Sequence, residues 1–148
     1  MKLKRLYILS LACLVLSACA SKYELNKQQR AEAYTQFIET ESLTQVDSIR
    51  SFRLNGWAAL GDQHMILNAT PSRPYLITFR NKCSNLDFVH GIQVHKRGSM
   101  LESKFDFITT MDTVKINCYI DTIHQLTKEQ KKSLLAIGKV KEKQSEES

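Results

Sequence analysis

Apolar residues recur with helical spacing near residues 28–40 and again near residues 128–137, and an extended pattern lies between these two segments. In the first helical segment, Tyr34, Phe37 and Ile38 recur on one face, and helix-forming residues such as Gln28 precede them. The spacing predicts an amphipathic helix from about residue 28 to residue 40. We expect its apolar stripe to pack on the body of the domain, and a partner-binding helix is the alternative.

From residue 46 to residue 126 the apolar positions alternate with period two. Tyr75, Ile77 and Phe79 share one face of such a run, which is typical of a half-buried strand. The same alternation is carried by Met65, Leu67 and Ala69; by Phe88, His90, Ile92 and Val94; by Phe105 and Phe107; and by Ile116, Cys118 and Ile120. The pattern predicts several short antiparallel strands.

Turn signals separate these runs. Asn55-Gly56 predicts a two-residue hairpin turn, because both central positions of such a turn favour positive φ. Further turns or loops are predicted at Gly61-Asp62, Thr70 to Pro74, Lys96 to Ser99 and Asp112-Thr113. Ile123 and Leu126 break the alternation of the last strand, which predicts a bulge or bend near Asp121.

A capping signal opens the second helical segment. Thr127 followed by Gln130 has the spacing of a capping box, and Gly138 suits the position after a helix end. The apolar side chains of this short helix are Leu134, Leu135 and Ile137. Residues 139–148 are charged and poor in apolar side chains, which predicts a disordered tail.

Together these elements predict a mainly β (α+β) fold. We expect a small antiparallel barrel or sandwich with an N-terminal helix and a short C-terminal helix, built as one domain over residues 28–138.

The first eighteen residues have the pattern of a secretory signal peptide. Lys2, Lys4 and Arg5 open the segment, and a nearly continuous apolar run over residues 6–16 follows. The run is too short to cross a hydrocarbon core of about 30 Å as a helix. Residues 1–18 are therefore predicted to be removed.

The end of that segment carries a more specific motif. Leu16-Ser17-Ala18-Cys19 resembles the lipobox of bacterial lipoproteins. The resemblance implies that Cys19 is the lipidation site, carrying acyl chains such as palmitate, and that residues 19–27 form a lipid-anchored leader. A plain signal peptide with an incidental cysteine, or a transmembrane anchor, are the alternatives. For a Gram-negative envelope, the same resemblance implies the periplasmic face of the outer membrane, because position 20 is Ala instead of Asp.

Removal of the signal segment would lower the net charge of the mature protein. The formal net charge of the whole chain is +6, and removal of the three signal-peptide cations leaves about +3. This balance, in an exported protein, argues against a nucleic-acid partner.

The cysteines that remain after export form an even pair. Cys13 leaves with the signal and Cys19 takes the lipid, so Cys83 and Cys118 remain in an oxidising compartment. A structural disulfide is expected between them. Two buried free thiols or a redox pair are the alternatives, although the chain has no Cys-x-x-Cys motif.

A sparse set of motifs runs through most of the mature chain. Its members are Cys19, Trp57, Tyr75-Leu76, Cys83, Phe105-Asp106 and the segment from Cys118 to Ile123. The set resembles a family of small uncharacterised proteobacterial lipoproteins with a two-cysteine, β-rich domain. That resemblance supports the disulfide and the single domain, and it implies no activity.

The histidines do not have the spacing of a metal site. His90 and His95 are five residues apart on a predicted strand, so their side chains should point to opposite faces, and His64 and His124 are far away in sequence. His90 falls on the apolar face and is expected in the core or at its rim. No metal and no cofactor is predicted.

Catalytic groups are equally scattered. The acidic candidates are Asp87, Asp106, Asp112 and Asp121, and no pattern brings two of them together. Serines such as Ser99 and Ser103 lack the Gly-x-Ser-x-Gly context of a nucleophile. A cleft that joins His90 or His95 to Asp87 or Asp106 would favour an enzyme.

The remaining candidates are contact residues. Arg80, Lys82, Lys96 and Arg97 flank predicted loops, and Trp57 opens a strand. In the simplest interpretation, the basic residues belong to an ordinary solvated surface and Trp57 packs in the core. The functional interpretation is a contact for an envelope protein, an anionic envelope polymer or lipid head groups.

The sequence thus predicts a lipid-anchored periplasmic lipoprotein acting as a non-enzymatic binding or envelope-support module. The alternative is a small periplasmic enzyme or metal-binding accessory with a His/Asp site.

Overall fold

The computed structural model describes residues 26–137, which form two helices and nine strands. The helices are α1 (Lys27–Thr40) and α2 (Lys128–Ala136), and a 3₁₀ turn spans Leu86–Phe88. The strands are β1 (Gln45–Val46), β2 (Ser48–Ile49), β3 (Gly56–Leu60), β4 (His64–Thr70), β5 (Arg73–Phe79), β6 (Ile92–His95), β7 (Leu101–Glu102), β8 (Phe107–Thr110) and β9 (Asn117–Gln125).

Seven of the strands form one antiparallel sheet. Its order is β3-β4-β5-β9-β8-β6, with β1 paired beside β8 along the same edge of β9, while β2 and β7 pair separately. The sheet curls into a half-barrel. This architecture confirms the predicted mainly β fold with a helix at each end.

The bulge predicted near Asp121 is confirmed. Thr78 pairs with Thr122, but Phe79 pairs with Ile120, so one residue of β9 has no partner opposite it. Because side chains alternate along a strand, the extra residue turns both Ile120 and Ile123 toward the inside of the curl.

The hairpin predicted at Asn55-Gly56 is wrong. β2 pairs with β7 instead of with β3, and the Phe52 amide donates to the Ser99 carbonyl at 2.8 Å. The segment before Gly56 therefore pairs with residues 99–102, and Phe52 is buried in the core. The β3–β4 hairpin turns at Gly61, whose φ of +76° suits glycine, as the Gly61-Asp62 signal predicted.

Three other expectations need correction. Phe88 and His90 are exposed and precede β6, because the chain forms a 3₁₀ turn after Cys83 instead of extending. Phe105 is also exposed, since it follows a turn in which Lys104 has φ +69°. The predicted loop from Thr70 to Pro74 shortens to a two-residue turn, because β4 and β5 extend into it.

Two apolar clusters cover opposite sides of the sheet. The inner cluster fills the curl with side chains such as Met65, Ile77 and Ile108. The helix-side cluster packs α1 and α2 on the outside of β3, β4 and β5, through residues such as Tyr34 and Leu76. Strand β4, which lies between β3 and β5, is consequently buried on both faces.

The helices begin as the capping signals require. Thr127 and Gln130 form the predicted capping box, and Asn26 and Gln29 form a second one at the start of α1. Residues 1–25 and 138–148 lie outside the described part of the chain, so the signal segment, Cys19, Gly138 and the charged tail are not located. Over residues 26–137 no helix is long and apolar enough to span a bilayer.

Candidate functional site at the loop end of the sheet

The strand topology gathers three connections at one end of the sheet. They are the β3–β4 turn at residues 61–63, the β5–β6 connection at residues 80–91 and the β8–β9 connection at residues 111–116. We call this the loop end. The β4–β5 turn and residues 96–100, which lead from β6 to β7, lie at the opposite end, here called the turn end.

Helix α1 starts at the loop end. Lys27 forms an ion pair with Asp62 at 3.7 Å, and Arg30 forms one with Asp87 at 3.5 Å. The second carboxylate oxygen of Asp87 accepts a hydrogen bond from the Gly61 amide at 3.0 Å. Both carboxylates belong to loop-end connections, so they fix where the chain enters the domain.

The disulfide also lies in this region. Cys83 and Cys118 are bonded, with their Cα atoms 5.5 Å apart and both residues buried. The Cys83 amide donates to the Asp62 carbonyl at 2.7 Å. The β5–β6 connection is thereby attached to both β9 and the β3–β4 turn, which limits its movement.

Apolar side chains project from the loop end into solvent. Phe88 and Val114 are each 69% exposed and Met111 is 57% exposed, whereas Leu54 and Met100 near the turn end are 40% and 38% exposed. Phe105, which is 65% exposed, lies apart from both groups on the flank of the sheet. Exposed apolar groups that cluster as they do at the loop end are typical of an interaction surface.

A cavity of about 140 Å³ separates the second and third loop-end connections. Two of its polar lining groups are hydrogen-bonded within the loop: the Thr110 hydroxyl accepts from the Ile116 amide, and the Asp112 carboxylate accepts from the Thr113 amide. The remaining lining residues are Ser84, Asn85, Val89 and Val114. This lining offers a shallow, mixed contact and holds no histidine or thiol.

The predicted contact residues are not brought together. Lys82 lies at the loop end and is exposed, whereas Lys96 and Arg97 lie at the turn end. Arg80, the first residue of the β5–β6 connection, donates to the Lys104 carbonyl at 3.2 Å. Trp57 is partly buried and packs against the inner cluster, as the simplest interpretation of this residue expects.

Sequence reasoning missed the three exposed apolar residues of the loop end. The alternation places Phe88 on the apolar face of a predicted strand, and Met111 and Val114 flank the turn predicted at Asp112-Thr113. An available signal was their position: apolar side chains in a turn or polar loop have no core face to occupy.

Within residues 26–137, the histidines and carboxylates singled out as catalytic candidates are not hydrogen-bonded to one another. Neither His90 nor His95 hydrogen-bonds to Asp87 or Asp106 within residues 26–137, and the expected core or rim position of His90 is wrong because its side chain is exposed. His95 stacks on Phe107 with ring centres 4.4 Å apart. In the same part of the chain, no three His, Cys, Asp or Glu side chains are placed to bind a metal.

Two histidines are buried between the sheet and the helices. Burial, together with the nearby His124, lowers the pKa of His64 to about 4; burial also lowers the pKa of His124. The His64 ring lies 5.6 Å from that of Tyr34 on α1. Among the described residues, no hydrogen-bond partner reaches Nδ1 of either histidine or the hydroxyl of Thr78. Both imidazoles are therefore neutral at pH 7.

Residues 1–142 match the sequence model of DUF6491, a family of unknown function. No curated protein and no solved structure matches the chain significantly. The family match spans the whole described domain and assigns no role to any residue.

Proposed function

The chain belongs to DUF6491, a family of unknown function, and from that premise we propose that it is a lipid-anchored envelope protein. In this proposal Cys19 carries the lipid, the body faces the periplasm from the outer membrane, and the β domain is a non-enzymatic binding or envelope-support module.

The observation that carries the proposal is the order of motifs at the start of the chain. A basic opening precedes a short apolar run, which ends in Leu16-Ser17-Ala18-Cys19. Two or more acyl chains on one cysteine give stable membrane attachment, because each buried methylene contributes about 0.8 kcal/mol.

The described domain is compatible with that location. The Cys83–Cys118 disulfide suits an oxidising compartment. The loop end offers apolar and cationic side chains, such as Phe88 and Lys82, which suit contact with a surface. Attachment to a membrane would raise the effective concentration of the domain near any partner held there.

The test compares two cysteine variants of the full chain expressed in bacteria. Cys19→Ser should abolish incorporation of labelled palmitate and release the protein from sedimented membranes. Cys13→Ser is the matched control, because Cys13 lies in the segment predicted to be removed, and it should remain labelled and membrane-bound. Separation of inner and outer membranes by density then tests the location. A Cys19→Ser protein that is still labelled, or an unlabelled parent chain in the cytosol, would refute the proposal.

A further inference from the structure

We propose that the loop end of the domain is a membrane-contacting surface, with Phe88, Met111 and Val114 inserted among lipid head groups. The occupant is the same lipid surface that holds the anchor. This inference rests on the proposed lipidation of Cys19 and adds an orientation: the loop end faces the bilayer and the turn end faces away.

The length of the anchor segment places the loop end near the membrane. Seven peptide links join Cys19 to Asn26, and a fully extended chain of that length spans about 25 Å. Asn26 caps α1, whose first turn is held at the loop end by the ion pair of Lys27 with Asp62. The chain therefore leaves the lipid and enters the domain at this end.

The exposure of apolar side chains distinguishes the two ends. Phe88, Met111 and Val114 are more exposed than Leu54 and Met100. Phe88 and Val114 belong to different loops that border the same cavity. Asn85 and Val89, from the loop of Phe88, line it together with Val114. Two loops that present apolar tips side by side can enter a head-group layer together, and burial there removes the tips from water.

Lysine side chains at the loop end add to the attraction for an anionic lipid surface, but they do not by themselves determine the orientation of the domain. Lys82 and Lys115 are exposed at the loop end and can approach lipid phosphates. Of the nearby carboxylates, Asp62 and Asp87 are ion-paired with α1, and Asp112 accepts a backbone hydrogen bond. The turn end also carries cations, so the apolar tips and the anchor together determine the orientation.

The contact surface contains a feature that suits an interface between water and lipid. The Lys27 ammonium lies 5.9 Å from the centre of the Phe88 ring, with 55% of the lysine side chain exposed. An aromatic ring beside a long cationic side chain lets the ring enter the apolar boundary while the ammonium remains at phosphate depth. The disulfide at Cys83 holds the connection that carries Phe88.

The test places a fluorescent probe at each end of the acylated, full-length mature protein. Phe88→Trp, Val114→Trp and, as the matched turn-end control, Met100→Trp are purified from membranes. Each is reconstituted into vesicles of phosphatidylethanolamine and phosphatidylglycerol that contain lipids brominated on the acyl chains. The parent protein, whose Trp57 is partly buried on the core, supplies the background. Bromine should quench the probes at 88 and 114 at least about twofold more than the probe at 100, since interfacial groups reach the acyl boundary.

A second set of variants tests the contribution of the loop-end lysines. Lys82→Gln with Lys115→Gln should weaken quenching at position 88 in vesicles containing phosphatidylglycerol and leave it unchanged in phosphatidylcholine vesicles. Lys96→Gln with Arg97→Gln, at the turn end, is the control pair and should have no effect in either vesicle.

The outcomes separate this inference from the proposed function. If the protein is acylated and vesicle-bound but the three probes are quenched equally, the orientation is wrong and the anchor stands. If the probe at position 88 is unquenched by brominated lipid but its emission changes with protein density at constant lipid composition, the surface binds a second copy, and the inference is also wrong. If the protein carries no lipid, the proposed function fails first.

Discussion

Two apolar layers bury the sheet, one inside the curl and one between the helices and β3, β4 and β5, and they are built from different chemistry. Inside the curl, the buried residues are almost all apolar, and a disulfide crosses the cluster between Cys83 and Cys118. Between the sheet and the helices, apolar side chains such as Leu76 share the space with His64 and His124. Apolar packing does not depend on pH, whereas a buried neutral imidazole must be charged when the pH falls. The inner face should therefore set the stability of the fold, and the helix side should set its response to acid.

The largest expected effect comes from the inner face. Replacing Cys83 and Cys118 together by Ala removes a cross-link between residues 35 positions apart. Loss of this constraint on the unfolded chain should lower the free energy of unfolding by about 3–4 kcal/mol. Urea denaturation of the oxidised parent and the double variant measures the difference. An unchanged midpoint would show that packing alone holds the inner face.

Acid should act on the helix side with a slightly smaller effect. The unfolded chain binds a proton on His64 near pH 6.5, but the folded protein does so only near pH 4. Stability is therefore complete above pH 6.5 and falls as the pH decreases toward 4, by about 3 kcal/mol for this one group. The lowered pKa of His124 acts in the same direction. Urea midpoints recorded between pH 7.5 and pH 4 measure the slope.

A histidine variant tests whether His64 causes this dependence of stability on pH. His64→Phe changes the baseline stability, but its diagnostic property is a flatter dependence on pH between 6.5 and 4. His90→Phe is the matched control, because His90 is exposed, and it should keep the slope of the parent. Equal slopes in all three proteins would place the acid response outside the buried pair.

The smallest predicted effect concerns the contact between the helices. The Tyr34 hydroxyl donates to the Ile137 carbonyl at 3.2 Å, which joins α1 to the end of α2. Tyr34→Phe removes this hydrogen bond and keeps the ring in the helix-side cluster. The expected loss is about 1 kcal/mol, measured by thermal or urea unfolding. A loss as large as that of the disulfide variant would mean that the two faces differ less than their chemistry suggests.

Local signals in the sequence were sufficient for many elements. The stripe that includes Tyr34 predicted α1, the capping box at Thr127 predicted α2, and the break in alternation after Ile120 predicted the bulge in β9. Each of these signals acts within a few residues, so the chain carries it without reference to distant partners.

Errors arose where a distant contact overrode a local preference. Asn55-Gly56 favours a hairpin, but the preceding segment buries Phe52 in the inner cluster and hydrogen-bonds to Ser99 instead. Phe88 matches an inward strand position, but the link from Cys83 to β9 leaves its segment in a 3₁₀ turn with the ring exposed. Register and strand order depend on such closures, which alternation does not encode.

The sequence by itself determined the type of each major element, the pair of cysteines available for a bridge, and the lipobox-like start on which the proposed location depends. These are properties of short stretches, set by periodicity, capping and composition. Tertiary structure alone decided that the start of α1, the exposed Phe88 and the exposed Val114 lie at the same end of the sheet. That juxtaposition follows from strand pairing between residues far apart in the chain, because only the folded sheet gathers its loops at common ends.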